Sequence, residues 1–146
     1  MLHCCLYRSQ SLVSRRSAEC AEIYLTARRL NPRVGITGYL HHEDGFFVQF
    51  VEGPPWSIKA LLNNIERDSR HTSLTVLKSC EKSGRRFRGW DMAFTNEETR
   101  RFRTWRSSGA LERSIAVASS QQLLECMLDG SAEMQFHPET LLEQFA

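Results

Sequence analysis

The start of the chain carries two different hydrophobic patterns. Residues 2–7 form a compact apolar run that leads into polar residues 8–11, which predicts a buried strand followed by a loop. Between Ser17 and Leu30, apolar residues recur at helical spacing, with acidic side chains in the first turn and basic ones in the last. The proline at position 32 ends the predicted helix.

The next segment predicts a hairpin and a second helix. Strand-like runs at residues 36–42 and 46–52 are joined through an Asp-Gly pair at 44–45, a strong signal for a tight hairpin turn. Ser57 is predicted to cap a helix whose apolar residues follow the i, i+3, i+4, i+7 pattern and which closes near Asp68.

Two further strands are predicted at residues 74–77 and 90–94, on either side of a basic loop at residues 82–88. The resulting order is βαββαββ. It indicates an α+β fold in which two helices cover one face of a mixed sheet.

The chain after the last predicted strand is helical in pattern, with runs at residues 97–106, 119–128 and 138–145 separated by Gly109 and Gly130. A lone helix would leave the apolar stripe of the middle run in water at a cost. We therefore expect this stripe to cover the free face of the sheet, within one chain or across a homo-oligomer; it consists of Leu123, Leu124, Met127 and Leu128.

Composition limits the protein to an ordinary globular class. The chain has 146 residues, of which 41% are hydrophobic and 25% charged, the profile of one soluble domain. Its apolar runs are far shorter than the roughly 20 residues of a membrane-spanning helix, and its start lacks the pattern of a signal peptide. We expect a cytoplasmic protein with no membrane segment.

The cysteines and the charges each exclude a class of function. None of the 5 cysteines forms a CxxC pair, so we expect buried thiols rather than a disulfide framework or a zinc site. The net charge of +2 divides into +3 over residues 1–80, +4 over 81–106 and −5 over 107–146. This asymmetry predicts docking of the acidic tail on the basic segment, and no nucleic-acid binding, which favours a sustained basic surface.

Three polar residues contradict the apolar elements that carry them. Gln49 shares a strand face with Phe47 and Val51, and a buried amide without partners costs roughly 1–3 kcal/mol. Tyr7 ends the first predicted strand and Asn31 ends the first predicted helix. Each has an ordinary structural explanation alone, but helices packed on the Gln49 face would bring all three to one pocket.

The chain resembles the BLUF domains, a family of blue-light sensors that use FAD. The resemblance covers about the first two-thirds of the chain, and five blocks carry it in the family's order and spacing: YRS at 7–9, NPRVGITG at 31–38, GFFVQFVEG at 45–53, RDSRH at 67–71 and RRFRGWDM at 85–92. It implies a ferredoxin-like sheet with the flavin ring inserted between the two helices. It also implies a photosensor domain at residues 1–96 and a C-terminal helical extension at 97–146, both in one compact unit.

The family's motifs carry over to named positions of this chain. Tyr7 and Gln49 correspond to the photoactive pair, and Asn31 corresponds to the residue that binds the carbonyl edge of the flavin. The other positions are Ile23 and Ile65 beside the ring, Arg70 and His71 at its far side, and Trp90 and Met92, which the family links to signal output. Trp90 and Met92 lie two residues apart, hence on one strand face, where core filling is the alternative explanation.

The resemblance also implies a mechanism. Photoexcited flavin takes an electron and, through the Gln49 amide, a proton from Tyr7, and recombination leaves the amide rotated or tautomerised. No substrate is consumed, so a sensor rather than an enzyme is implied. Leu30 and Asn64 depart from the family's pattern near the phosphates, so FAD is expected with FMN as the alternative.

The output is expected to pass to the C-terminal helices. From there it would reach a separate partner protein, such as a cyclic-di-nucleotide phosphodiesterase or a transcriptional regulator, because short members of the family lack a fused effector.

Two other classes share parts of the pattern. An acylphosphatase-like hydrolase has the same element order and could use Arg8 with Asn31, but it leaves Gln49 unexplained. An RRM-like RNA-binding domain would expose Phe46 and Phe50 on the middle strand, but a basic surface is lacking.

Overall fold

A computed structural model describes residues 1–89, 91–105 and 114–133 of the chain. Within these ranges the strands are β1 (Leu2–Ser11), β2 (Thr37–Glu43), β3 (Phe46–Gly53), β4 (His71–Lys82) and β5 (Ala93–Asn96). They form one sheet with the spatial order β4-β1-β3-β2-β5, in which neighbouring strands are antiparallel except for β2 and β5, which are parallel. The helices are α1 (Ala18–Leu30), α2 (Pro55–Glu66) and α3 (Ser120–Glu133). The predicted α+β fold with a mixed sheet is confirmed.

The two faces of the sheet are covered by different elements. On one face, Tyr24 of α1 and Ile58 of α2 pack into the same cluster as Phe47 and Val51 of β3. On the other face, the apolar stripe of α3 packs into a cluster with Val48 and Phe50. The prediction that the stripe covers the free face is therefore confirmed within a single chain. The expected homo-oligomer is not tested by this packing and stays a prediction.

The hairpin turn formed as the sequence predicts. Asp44 and Gly45 adopt φ angles of 49° and 81°, the left-handed pair that a tight hairpin needs. The structure also shows a helix cap that was not predicted: the Ser17 hydroxyl accepts a hydrogen bond from the Cys20 amide at the start of α1.

The second helix starts differently from the prediction. Pro55 opens α2, where its fixed φ suits the first turn and its missing N–H is no loss. The Ser57 hydroxyl instead donates to the Val34 carbonyl at 2.7 Å, so the predicted cap is wrong.

Three strand boundaries also differ from the sequence pattern. β1 continues through Ser11 and β4 runs from His71 to Lys82, because these two strands pair with each other along nearly their whole length. The polar residues of β4 lie at a sheet edge and tolerate exposure to water, which hides the strand from a hydrophobicity pattern. β5 begins at Ala93 rather than at residue 90, so Met92 precedes it, and Trp90 lies outside the described residues.

The tail contains less helix than predicted in its described part. Between residues 97 and 105 only a 3₁₀ turn, Phe102–Thr104, forms, and the Asn96 side chain accepts from the Glu98 and Thr99 amides to turn the chain. Gly130 does not separate two helices but lies within α3. Gly109 and the predicted helix at 138–145 lie outside the described residues.

Charged and polar contacts join the acidic helix to the basic segment before it. Arg100 pairs with Glu133, and the indole N–H of Trp105 donates to Asp129 Oδ2 at 2.9 Å.

None of the helices in the described ranges combines the length and apolar character that crossing a membrane requires.

A disulfide joins Cys4 of β1 to Cys80 of β4, with their Cα atoms 5.2 Å apart. The expectation of unpaired thiols is therefore wrong for these two residues, while Cys5, Cys20 and Cys126 are free and buried. The bond connects residues 76 positions apart, a separation that no short-range spacing rule reveals.

Removal of this bond tests its contribution to stability. The Cys80→Ser variant should lose about 2–4 kcal/mol of unfolding free energy, because the bond constrains a long loop of the unfolded chain. Urea denaturation of the variant, the non-reduced chain and the reduced chain measures the loss. Alkylation of five thiols in the denatured, non-reduced protein would contradict the bond.

Candidate functional site

A cleft of about 210 Å³ lies between α1, α2 and the sheet. The structure brings seven of the residues singled out from the sequence to its lining: Tyr7, Ile23, Asn31, Gln49, Ile65, Arg70 and His71. Met92 lies next to the cleft, where its sulfur contacts the Gln49 amide. Trp90 lies outside the described residues.

The floor of the cleft is a buried tyrosine–glutamine pair. Tyr7 and Gln49 are direct partners in the β1–β3 ladder and are 4% and 5% exposed. The Tyr7 hydroxyl donates to Gln49 Oε1 at 2.5 Å. On its other side the amide donates from Nε2 to Met92 Sδ at 3.4 Å. Because the thioether sulfur can only accept, Met92 fixes the Nε2 end of the amide on its side and leaves Oε1 facing the phenol.

The surroundings keep the Tyr7 phenol protonated. Burial raises its pKa well above the ordinary range, and the nearby Cys5 thiol and Asp68 carboxylate act in the same direction. A phenol that does not ionise remains a hydrogen-bond donor, which is the role the Gln49 carbonyl oxygen requires.

Asn31 occupies the rim of the cleft at the end of α1. It is 3% exposed, its backbone carbonyl accepts from the Ile36 amide at 3.0 Å, and its Nδ2 donates to the Asp91 carbonyl at 3.3 Å. The side chain is therefore tied to the segment that leads into β5, and among the described residues no donor reaches its Oδ1.

The far end of the cleft carries an ion pair and an oriented imidazole. Arg70 binds Asp68 through Nε at 2.8 Å and Nη2 at 2.5 Å, and these bonds hold the pKa of the Asp68 carboxyl below its usual range. His71 donates from Nε2 to the Ile65 carbonyl at 2.5 Å, which fixes its ring relative to α2. Asp68 lies inside the 67–71 block, but the sequence analysis assigned it no role.

The side walls are apolar and come from the two helices. Ile23 and Ile65, which the family resemblance placed beside the ring, both line the cleft. Sequence reasoning missed other lining residues at one-turn spacing from these two, which the i+3 and i+4 rule could have found: Thr26, Ala27 and Leu61.

The two competing classes do not fit this geometry. Arg8 lies on the opposite face of the sheet from Asn31, where it donates to the carbonyls of Ile115 and Ala118, so an Arg8–Asn31 site is not formed. Phe50 is fully buried and Phe46 partly so under the α3 side, which leaves no aromatic platform for RNA there.

Comparison with known proteins assigns the family. The family model described as BLUF, sensors of blue-light using FAD, matches residues 2–93. The chain belongs to the BLUF family. This assignment agrees with the fold, whose sheet and C-terminal helix match solved BLUF structures.

Individual BLUF relatives are similar over different shares of their length. The photoactivated adenylate cyclase subunit beta of Euglena gracilis is 33% identical over 93 residues, which is 63% of this chain but 11% of that protein. The dark-state structure of the BLUF protein BlrB has a TM-score of 0.75 at 26% identity, covering 88% of this chain and 96% of that one. The structure of Klebsiella pneumoniae BlrP1 with FMN and cyclic diGMP has a TM-score of 0.64 at 25% identity, covering 99% and 34%.

His42 offers a pH test of the cleft's supporting core. It stacks on Phe47 with ring centroids 4.6 Å apart and is 3% exposed, and burial lowers its pKa to about 4. Its ring stays neutral in the folded protein but protonates in the unfolded chain near pH 6.5, so acid favours unfolding.

We therefore expect His42 to lower the free energy of unfolding by up to about 3 kcal/mol as the pH falls from 6.5 toward 4. Above pH 6.5 the ring is neutral in both states, and this loss is absent. Urea denaturation at pH 7 and pH 4.5 should show a smaller loss for His42→Phe, which keeps a ring against Phe47. Equal losses in the variant and the unaltered chain would refute the assignment.

Proposed function

We propose that this BLUF chain is a blue-light photoreceptor that holds a flavin noncovalently in the cleft, FAD being expected and FMN the alternative. The observation that carries the proposal is the buried Tyr7–Gln49 pair at the floor of a cleft whose rim holds Asn31. Although all cysteines lie in the described ranges, none lines the cleft, which supports noncovalent binding.

The groups of the cleft suit a flat ring with polar edges. Ile23 and Ile65 supply apolar walls on opposite helices, as stacking on both faces of an aromatic ring requires. Gln49 uses one of its amide N–H groups on Met92, so within the described part of the chain the other is left for a ligand. The Asn31 side chain can likewise donate a hydrogen bond to a ring carbonyl or accept one from a ring N–H.

The chain's own residues then divide the chemistry between them. A bound flavin supplies blue-light absorption and, once excited, a strong oxidising power. Tyr7 is placed to give up an electron and, through the Gln49 amide, a proton, and to take both back. Because electron and proton return to the Tyr7 oxygen, no net redox change remains, and the altered state resides in the Gln49 side chain.

Rotation of the Gln49 amide would change its contact with Met92. The thioether sulfur accepts hydrogen bonds but cannot donate one, so it can partner Nε2 but not Oε1. An amide rotated by half a turn would lose this contact, and Met92 immediately precedes β5. A tautomerised amide would keep nitrogen on that side, so rotation and tautomerisation differ in their effect on Met92.

The arrangement around the sensor supports signal output without a reaction of its own. We propose a photosensor domain at residues 1–96 whose output passes to the helical extension at 97–146, to a homo-oligomer and to a separate effector, such as a cyclic-di-nucleotide phosphodiesterase or a transcriptional regulator. The relative from Euglena gracilis is a cyclase subunit, and the chain spans about a tenth of its length. This supports an effector acting on nucleotides, while the chain itself acts as a sensor in the cytoplasm and not as an enzyme.

Absorption spectroscopy of the purified protein tests the photochemical proposal. The unaltered chain, expressed with ample flavin, should be yellow, and blue light should shift its spectrum reversibly to the red by roughly 10 nm, as strengthening of one hydrogen bond by about 1–2 kcal/mol would do. Tyr7→Phe and Gln49→Ala should bind flavin and lose the shift, because each removes one member of the relay.

Tyr24→Phe is the matched control. Tyr24 is also buried against the helix side of the sheet, where its ring packs on Phe94 with centroids 5.1 Å apart, but it does not line the cleft. The control should keep the shift. A colourless protein, or a normal photocycle in either relay variant, would refute the proposed function.

A further inference from the structure

A network of hydrogen-bonded, buried side chains starts on β5, the strand that follows Met92. Neighbouring residues of β5 face opposite sides of the sheet, so Phe94 packs in the cluster under the cleft while Thr95 faces the α3 side. Thr95 is 4% exposed, and its hydroxyl lies 2.6 Å from His41 Nδ1 and donates to the Tyr39 hydroxyl at 3.0 Å. One hydroxyl thus joins β5 to two side chains of β2.

The first arm of this network consists of His41 and Glu43 and ends on the segment after β5. His41 Nε2 lies 2.9 Å from Glu43 Oε1. The Glu43 carboxylate is fully buried and accepts from the backbone amides of Phe102 at 2.6 Å and Arg103 at 3.0 Å. A buried carboxylate is tolerated only when its bonds are complete, so the position of these amides depends on the position of Glu43.

The second arm ends on α3. A Cβ atom placed on Gly130 would overlap the Tyr39 hydroxyl. The absence of a side chain at position 130 therefore lets the helix backbone rest directly on Tyr39. A shift of the Tyr39 hydroxyl would therefore displace the backbone of α3 directly, because no flexible side chain lies between them.

We propose that Thr95, His41 and Tyr39 are positioning residues that transmit a displacement of β5 to the 102–103 amides and to α3. The inference rests on the proposed function, in which light changes the Gln49–Met92 contact at the start of β5. Because packed, fully hydrogen-bonded networks shift between discrete arrangements, a small movement at Thr95 would be carried to both arms.

Thr95→Val and Thr95→Ser form a matched pair that tests this link in the full chain. Valine keeps the shape of threonine without the hydroxyl, whereas serine keeps the hydroxyl. The red shift should be unchanged in both variants. By amide hydrogen exchange, the light-minus-dark difference at Phe102, Arg103 and α3 should fall by about threefold or more in Thr95→Val, as for mutations along coupled networks, and persist in Thr95→Ser.

A second variant separates the two arms. Tyr39→Phe keeps the ring against Phe87, with centroids 5.7 Å apart, and removes only the hydroxyl at Gly130. It should reduce the light response of α3 while sparing that of Phe102 and Arg103. A full tail response in Thr95→Val, or an equal loss in Thr95→Ser, overturns the link. Absence of a red shift in the unaltered chain overturns the proposed function, and the link with it.

Discussion

The antiparallel register of β1 and β3 is the constraint on which the rest of the structure depends. It sets Tyr7 and Gln49 side by side on the face that α1 and α2 cover, where their hydrogen bond forms. A slip of one residue in either strand would turn that strand's side chain to the opposite face, against α3, and separate the pair. The register therefore determines that the buried phenol and amide meet at the floor of the cleft.

Two buried carboxylates hold the segment between the cleft and the tail. Glu52 accepts from the amides of Arg86 and Phe87 before β5, and Glu43 accepts from those of Phe102 and Arg103 after it. The strand that follows Met92 is thus fixed at both ends, by groups that cannot give up their partners cheaply. Under the proposed function, a rearrangement of Gln49 would act on a strand whose flanking segments are both held in place.

Sequence patterns predicted the parts of this arrangement that follow from local spacing. The hairpin at 44–45, the two helices on one face of the sheet and the α3 stripe all follow from local periodicity and turn chemistry. The true length of β4 and the Cys4–Cys80 bond depend on partners far along the chain, which no local pattern records. Glu43 and Glu52 could have been suspected, since a charged residue in a strand packed on both faces needs a partner.

The central claim is that the Gln49 amide changes its hydrogen bonding to a flavin bound in the cleft. Light-minus-dark infrared difference spectroscopy with a flavin labelled at its ring carbonyls measures that bond directly. We expect a carbonyl band that moves to lower wavenumber in light and does not move in Gln49→Ala. A carbonyl band unmoved by light in the unaltered chain, or moved equally in the variant, would contradict it.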